Sequence, residues 1–561
     1  METDYLSYRP ASVVALFLIH FDVKYGYKLV WSKTSEDLDL SGVEYKVLPS
    51  GLQDKENDTI LISQVSGNSI YYGLGRYRQR ITGTEDENSN TGERNNVKMY
   101  SLGILCKPSS NNICTFNEYI CNGWEYVSDL DSALKNFLLQ LNYDDMSIFE
   151  CLFSNLSSKE LTIDRPSKSI DLHLLRQLDL MFETLGPLVF TLYKQALLRK
   201  RVIIFHKAHS KIDNFALASF TYLLSLLSLV PKRARPLTLR SIVESRPIYN
   251  IGLNDLGSPL LEEKATIAST NDDILMYQAD VFDYGIFLPD YDNECPFILS
   301  SDDLNGSMRS PLELSSKGVR ATYKDYNKFK CIYKELHGFS TRDSDDAASG
   351  RTNESFLSAA KSWFRTSTSK DLTSMFDEPS WWLKKASCPV PWTEYIWSAF
   401  SWLANAGSTS DCMESQNNNN ISSLNPYLEV EVEEAENLST LDSSNKDSVL
   451  RDKFLRNVDV VSYFHATTWR WFYMINDIVQ ESLKDEAESL HTESESIVPE
   501  NRKIVIEITF QDIKEMGLDP YSEQDLKFLR EFVSLYWNSV VESVNFISGI
   551  GEICGAMTLM S

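Results

Sequence analysis

The side chains able to do covalent or metal chemistry are few and far apart. Seven histidines, at 20, 173, 206, 209, 337, 465 and 491, form neither an HExxH pair nor a cluster with cysteine at zinc-ligand spacing. His206 and His209 flank the end of a β-branched run, where a surface turn is a simpler reading than a ligand pair. His465 sits among Tyr463, Phe464 and Trp469, the setting of a hydrogen-bonded core histidine rather than a catalytic base. Gly73-Leu74-Gly75 lacks the third glycine of a dinucleotide loop. Gly549-Ile550-Gly551 is followed by Gly555 with only six residues to spare, too few to complete a βαβ unit. Neither GxxxxGK(S/T) nor GxSxG occurs, so nucleotide hydrolysis at a P-loop is not expected.

Two other constellations could engage a partner. Asn271-Asp272-Asp273 ends a strand and opens a helix over Ile274, Leu275 and Met276. Carboxylates there stand where ligands meet the carboxyl edge of a sheet. The same residues suit an N-cap with first-turn acids complementing the helix dipole. The run Lys317, Arg320, Lys324, Lys328, Lys330 and Lys334 interleaves with Tyr323, Tyr326, Phe329 and Tyr333. Such a face could meet acidic lipid or an acidic partner, or be a solvated face neutralised by the chain's own acidic linker. The candidate partner-binding residues are therefore Asn271, Asp272, Asp273, Lys324, Lys328 and Lys330. No catalytic, cofactor-binding or metal-binding residue is assigned, and no cofactor is expected.

Composition limits the partners. Against 79 acidic residues stand 54 Lys and Arg, a net charge of −25. That balance excludes general nucleic-acid binding, which needs a basic face to neutralise phosphates. It also argues against attachment of the whole protein to anionic lipid by charge alone. Apolar residues make up 43% of the chain, enough for a sizeable core. Nine dispersed cysteines without a CxxC pair read as reduced intracellular thiols. METDYLSYRP has two early acids and no basic n-region, so a signal peptide is not expected. The uncharged run Asn214–Val230 would reach about 26 Å as a helix, short of the roughly 30 Å of a bilayer core. A buried core helix is the better reading.

The elements that must position these groups fall into an α/β pattern. Val13–Phe21 is almost continuously apolar, as a strand covered on both faces should be. Tyr27–Trp31, Thr59–Val65, Ser69–Tyr72 and Met99–Cys106 are further strands. Val127–Leu141 has helical period, closing a first module at 1–150. In a second module, 165–335, the helical pattern of Leu172–Arg199 is divided by Gly186-Pro187. The strands Arg201–His206, Ile248–Leu253, Ala265–Ser269 and Gly285–Leu288 follow, a βα alternation that predicts a largely parallel sheet. Ser340–Ser369 and Ser408–Asp452 are polar and expected to be mostly disordered, within an insertion spanning 340–452. Between them a tryptophan-rich island, 380–406, is expected to dock on the folded body. Asp485–Glu500 is a third polar break. The C-terminal module, 453–561, carries a strand at Ile504–Phe510 and a helix capped by Ser522 with Asp525 in a capping-box pattern.

FDVKYGYKLVW from Phe21, Gly42-Val43-Glu44-Tyr45-Lys46 and Pro49-Ser50-Gly51 resemble the opening of the LCHN-like branch of DENN-domain proteins. Met99–Cys106 resembles the strand closing that family's longin-like module. Leu185-Gly186-Pro187, Ala196–Val202, Arg246–Gly252 and Ser269–Asp272 resemble the central DENN module. Trp392–Tyr395, Tyr463–His465 and Met516–Pro520 complete the likeness, and the fungal Avl-nine-related members look most similar. The chain departs from the family's central motif, reading ATIASTND where an aromatic and a cysteine usually precede Thr-Thr-Asp. The resemblance implies a longin-like module, a Rossmann-like DENN module and a mainly helical C-terminal module, with long disordered insertions. It implies a cytoplasmic regulator of a Rab-type small GTPase, peripheral on an organelle membrane or lipid droplet, that promotes nucleotide release. The alternative it leaves is a non-exchanging adaptor. No covalent catalysis is expected, because exchange requires only differential binding of the open, nucleotide-free state.

Overall fold

The computed structural model describes residues 12–22, 24–49, 52, 55–67, 69–81, 97–107, 123, 126–158, 174–206, 212–230, 244–258, 265–289, 294–304, 310–337, 378–389, 445–490 and 505–544. The first sheet has the order β2-β1-β5-β4-β3, with every neighbouring pair antiparallel. Its strands are β1 (Ser12–Asp22), β2 (Gly26–Thr34), β3 (Asn57–Ser66), β4 (Ser69–Ile81) and β5 (Val97–Lys107). Every residue from Val13 to Ile19 is buried, because both faces are covered. Helix α1 (Val43–Val47) packs on Phe17 and Ile19. Helices α2 (Val127–Gln140) and α3 (Ser147–Ser158) pack on Leu16 and Leu18 of the opposite face. Asp131 of α2 clamps that face, accepting from Arg76 Nε at 2.8 Å, Arg78 Nε at 2.6 Å and Lys135 at 2.8 Å. Burial acts to raise its pKa, but these three cations outweigh it and hold the carboxyl well below the usual range.

The second sheet has the order β10-β9-β6-β8-β7. Strands β6 (Val202–Phe205), β7 (Arg246–Ile248), β8 (Thr266–Thr270) and β9 (Tyr284–Phe287) run parallel. The edge strand β10 (Phe297–Ser300) is antiparallel and lies where the sequence pattern fades. The helical stretch before β6 divides as expected, into α4 (Leu178–Leu185) and α5 (Leu188–Leu197). Gly186 makes the break at φ 56°, and a Cβ there would lie 2.8 Å from Trp381 and 2.9 Å from Trp382. Glycine is thus required twice over, for conformation and for space. The uncharged run folds as α6 (Asn214–Leu227), buried from Ala216 to Leu227. Among the described residues no helix is long and apolar enough to cross a membrane.

Helix α7 (Tyr323–Leu336) leads into the C-terminal part of the molecule. Of the tryptophan-rich island the described residues are 380–389, and they dock as expected. Short helix α8 (Ser380–Lys384) buries Trp382 completely against Phe329 and Tyr333, and Ser387 bridges to Ala321. Trp392, Trp397 and Trp402 lie outside the described residues, as do 340–369 and 408–444. Helix α9 is longer than the polar composition suggested, running from Asn445 to Leu490. Its middle carries Val460, Phe464, Trp471, Phe472 and Ile475 into the core, and that buried stripe supports polar turns at either end. Strands β11 (Val505–Ile508) and β12 (Val540–Val544) form a parallel pair flanking α10 (Phe510–Glu515) and α11 (Glu523–Trp537).

Candidate partner-binding site

The two sheets meet edge to edge. Ser63 of β3 donates its backbone N–H to the Tyr249 carbonyl at 3.2 Å and accepts from Tyr249 N through Oγ at 2.9 Å. The Tyr72 hydroxyl donates to the Pro247 carbonyl at 3.1 Å. Lys46 of α1 sends its buried amine to Asp255 Oδ1 at 2.8 Å and to the Ser63 carbonyl at 2.6 Å. Asn250 Nδ2 donates to the Lys46 carbonyl. Beside this seam an open cleft of about 510 Å³ separates α1 from the turn Leu253–Asp255, with Asp39, Glu44, Tyr45, Gln64 and Asn254 among its walls. Gly42, at φ 85°, brings the backbone close; a Cβ there would lie 3.3 Å from Asn254 Nδ2.

The remaining candidates of the second sheet lie at its carboxyl edge, after β8. Asn271 is buried, donating from Nδ2 to Asn214 Oδ1 at 2.7 Å and pairing Oδ1 with His206 Nδ1 at 2.8 Å. Asn214 Nδ2 continues the chain to Asp58 Oδ2 at 2.9 Å, across the junction. Asn271 is therefore inside the fold. His206 is buried too, not on a surface turn, because its backbone N–H also extends the sheet to the Thr270 carbonyl. His209 lies outside the described residues. Asp272 is the cap: its side chain accepts from Ile274 N at 3.0 Å. Asp273 is exposed in the following turn, where Ile274 and Tyr277 are 53% and 66% exposed.

The basic run of α7 faces the C-terminal part of the molecule. Lys324 Nζ donates to the Leu518 carbonyl at 3.0 Å and Lys328 Nζ to the Gly517 carbonyl at 2.6 Å. Lys330 pairs with Glu378 at 2.9 Å. Deeper in, Lys194 of α5 bridges Asp325 at 2.5 Å and Asp525 at 2.6 Å, with all three side chains under 10% exposed. Desolvation disfavours the Lys194 ammonium, but the two carboxylates outweigh it and raise its pKa. Desolvation raises the Asp525 carboxyl, whereas Asp325, facing both Lys194 and Lys328, is lowered against its burial. Burial pushes the Lys328 amine down to about 8 despite Asp325 at 3.9 Å. Ser522 caps α11 by accepting from Asp525 N, but the Asp525 carboxylate does not reach back to complete a box. It binds Lys194 and accepts from Asp519 N instead.

His465 pairs Nε2 with the Leu226 carbonyl at 2.8 Å, as a structural histidine does. Burial lowers its pKa. Among the described residues no group of three or more His, Cys, Asp or Glu could hold a metal. The cleft residues escaped the sequence reading as a site, although Gly42–Lys46 was part of the family likeness. Lys46 and Asp255 are 209 positions apart, and no local pattern announces such a pair.

The family model of DENN domain-containing protein 11 matches residues 16–295, which hold both sheets and the seam between them. The chain belongs to the DENN-domain family. A second model, described only as a domain of unknown function, matches residues 388–556. The uncharacterized protein ANR2 of Saccharomyces cerevisiae is 23% identical, covering 97% of this chain and 94% of its own. The uncharacterized protein C119.16c of Schizosaccharomyces pombe is 23% identical over 58% of this chain and 72% of its own. DENN domain-containing protein 11 of Danio rerio is 24% identical over 48% of this chain and 52% of its own. DENN-domain proteins generally interact with Rab GTPases and regulate trafficking.

Proposed function

We propose that this DENN-domain protein is a guanine-nucleotide exchange factor for a Rab-type GTPase, docking it where the first sheet meets the carboxyl edge of the second. One observation carries the choice of surface. Exposed apolar side chains stand on either side of the seam, Tyr45 on α1 and Leu253 and Leu256 on the facing turn, and two more, Ile274 and Tyr277, follow β8. Monomeric proteins seldom expose such groups together, and partner surfaces use them. Asp272 and Asp273 belong to this face, the first by setting its turn and the second by its exposure. Lys324 and Lys328 act on it indirectly, by fixing α7 against the C-terminal module, and Lys330 by tying α7 to Glu378. Nucleotide release then follows from tighter binding of the open GTPase than of its nucleotide-bound form. Membrane contact in this reading is peripheral. The test is release of labelled GDP from a panel of Rabs with micromolar protein. Acceleration for at least one Rab is expected, and Ile274→Ser with Tyr277→Ser should reduce it at least about tenfold, as expected for truncated apolar anchors. Acceleration of none overturns the proposal, and binding only of a GTP-loaded Rab would identify an adaptor instead.

A further inference from the structure

The first sheet ends on a strand with one side unused. Its β3 edge meets Tyr249 through Ser63, and the β10 edge of the second sheet meets Val319, whose N–H reaches the Ile298 carbonyl at 2.8 Å. Strand β2 pairs with β1 over its nine residues, and among the described residues no backbone hydrogen bond reaches its other side. Ser35 N donates to the Val14 carbonyl at 2.8 Å, toward β1. By the alternation of an antiparallel pair, Ser32 and Thr34 then turn their N–H and C=O groups outward. Such a row is a template for one more strand.

The two faces of β2 say what kind of strand. Cross-strand neighbours share a face. Lys28 stands opposite His20 and Lys33 opposite Leu16, on the side that α2 and α3 cover. Among the described residues neither lysine makes an ion pair; Lys28 lies 3.9 Å from the centre of the Tyr25 ring and Lys33 5.7 Å from that of Phe153. Asp22, at the end of β1, is occupied by the Lys24 and Tyr25 N–H groups at 2.8 and 3.0 Å. The other face is apolar. Tyr27 and Leu29 stand opposite Phe21 and Ile19, Tyr27 packs edge-on against Tyr45 of α1, and Leu29 is 42% exposed.

We propose that the open edge of β2 receives an extended segment of a partner protein, alternating acidic and apolar residues, as an added strand. Successive side chains of a strand take opposite faces, so that alternation sets acids beside Lys28 and Lys33 and apolar groups beside Leu29. The backbone ladder supplies the hold and the two faces supply the choice. A second copy of this edge is disfavoured, because two lysine-bearing edges repel and the irregularity between the Leu18 and Ile19 pairs breaks a flat register. Exchange on a Rab is not needed for this contact.

The test uses the full chain and a fluorescein-labelled Gly-Glu-Val-Glu-Val-Glu-Val-Gly peptide in anisotropy titrations. Physiological salt confines the repulsion from the −25 net charge to about 8 Å and leaves the local lysines to act. The peptide should bind at least about tenfold more tightly than a version with lysine for glutamate. It should exceed by as much a version with proline at the second valine, which cannot extend a ladder. Lys28→Gln with Lys33→Gln should weaken binding by about threefold to tenfold, with unchanged thermal melts. Ser32→Pro, which removes an outward N–H, should abolish it. Where Ser32→Pro lowers the melt, the lysine changes and the peptide series decide. Lys527→Gln, exposed on α11, should leave binding as it is. No saturable binding overturns the proposal, as does equal affinity for the lysine or proline peptide, or indifference to the two lysine changes. A dimer seen by sedimentation that Ser32→Pro dissolves would give the edge to a second copy and overturn it too.

Discussion

The molecule has two junctions built on opposite plans. At the first, between the two sheets, a single buried amine meets one carboxylate beside an open cleft, and backbone pairs at Ser63 and Tyr249 do much of the joining. At the second, between α5, α7 and the C-terminal helices, charge is sealed inside an aromatic core. Lys194 is closed over by Asp325 and Asp525, while Tyr193, beside it in the chain, packs on Phe464 and Trp471, and Trp471 on Phe532. The Tyr193 hydroxyl reaches the Phe464 carbonyl, the Trp471 indole reaches the Met516 carbonyl, and the Tyr536 hydroxyl reaches the Leu197 carbonyl. A polar seam bordered by solvent can exchange its contacts for those of a partner at small cost, whereas a buried charge cluster cannot open without stranding ions. The contrast leaves the first junction adaptable and the second rigid.

The largest effect should come from Lys194→Met. It leaves Asp325 and Asp525 buried without their shared cation, and a loss of about 3–5 kcal/mol is expected for breaking a buried pair from one side. Denaturation followed by tryptophan fluorescence reads it; a loss below about 1 kcal/mol would erase the distinction between the junctions. Lys46→Met should cost less, about 1–3 kcal/mol. Asp255 keeps its bond from Gly252 N and can hydrate from the cleft. A penalty equal to that of Lys194→Met would show the first junction to be as closed as the second. A third effect is one of pH. Lys328 titrates near 8 when folded against 10.5 when unfolded, so between those values the unfolded chain binds more protons and stability rises with pH. Lys328→Met should flatten that rise, measured as melting temperature against pH, while Lys46→Met should leave it in place.

Periodicity made the layers legible but not their joints. The apolar run at Val13, the break at Gly186 and the uncharged helix at Asn214 can be read from neighbours in the chain, because one element's own burial writes its pattern. Strand β10 is an antiparallel edge strand outside the βα alternation, and α9 hides its buried stripe between polar ends. The candidate residues divide in the same way. Asp272 as a cap is local chemistry, visible in Asn-Asp-Asp before an apolar turn. Lys194 finds its acids 131 and 331 positions away, and Lys324 and Lys328 reach carbonyls near 190 positions on. A basic aromatic helix looks the same in sequence whether lipid, a partner or the chain's own next module lies opposite it. Tertiary partners decided that case.

The sealed cluster also shapes how the protein is felt at a distance. Lys194 and Lys328 balance Asp325 and Asp525, so the −25 net charge is carried wholly by the rest of the chain. A partner or a phospholipid sheet approaching the molecule therefore meets a negative field before it meets any contact. Screening confines that field to about 8 Å at physiological ionic strength and lets it spread to about 30 Å in dilute buffer. Basic proteins should be drawn in faster as salt is lowered, and anionic bilayers should be pushed away.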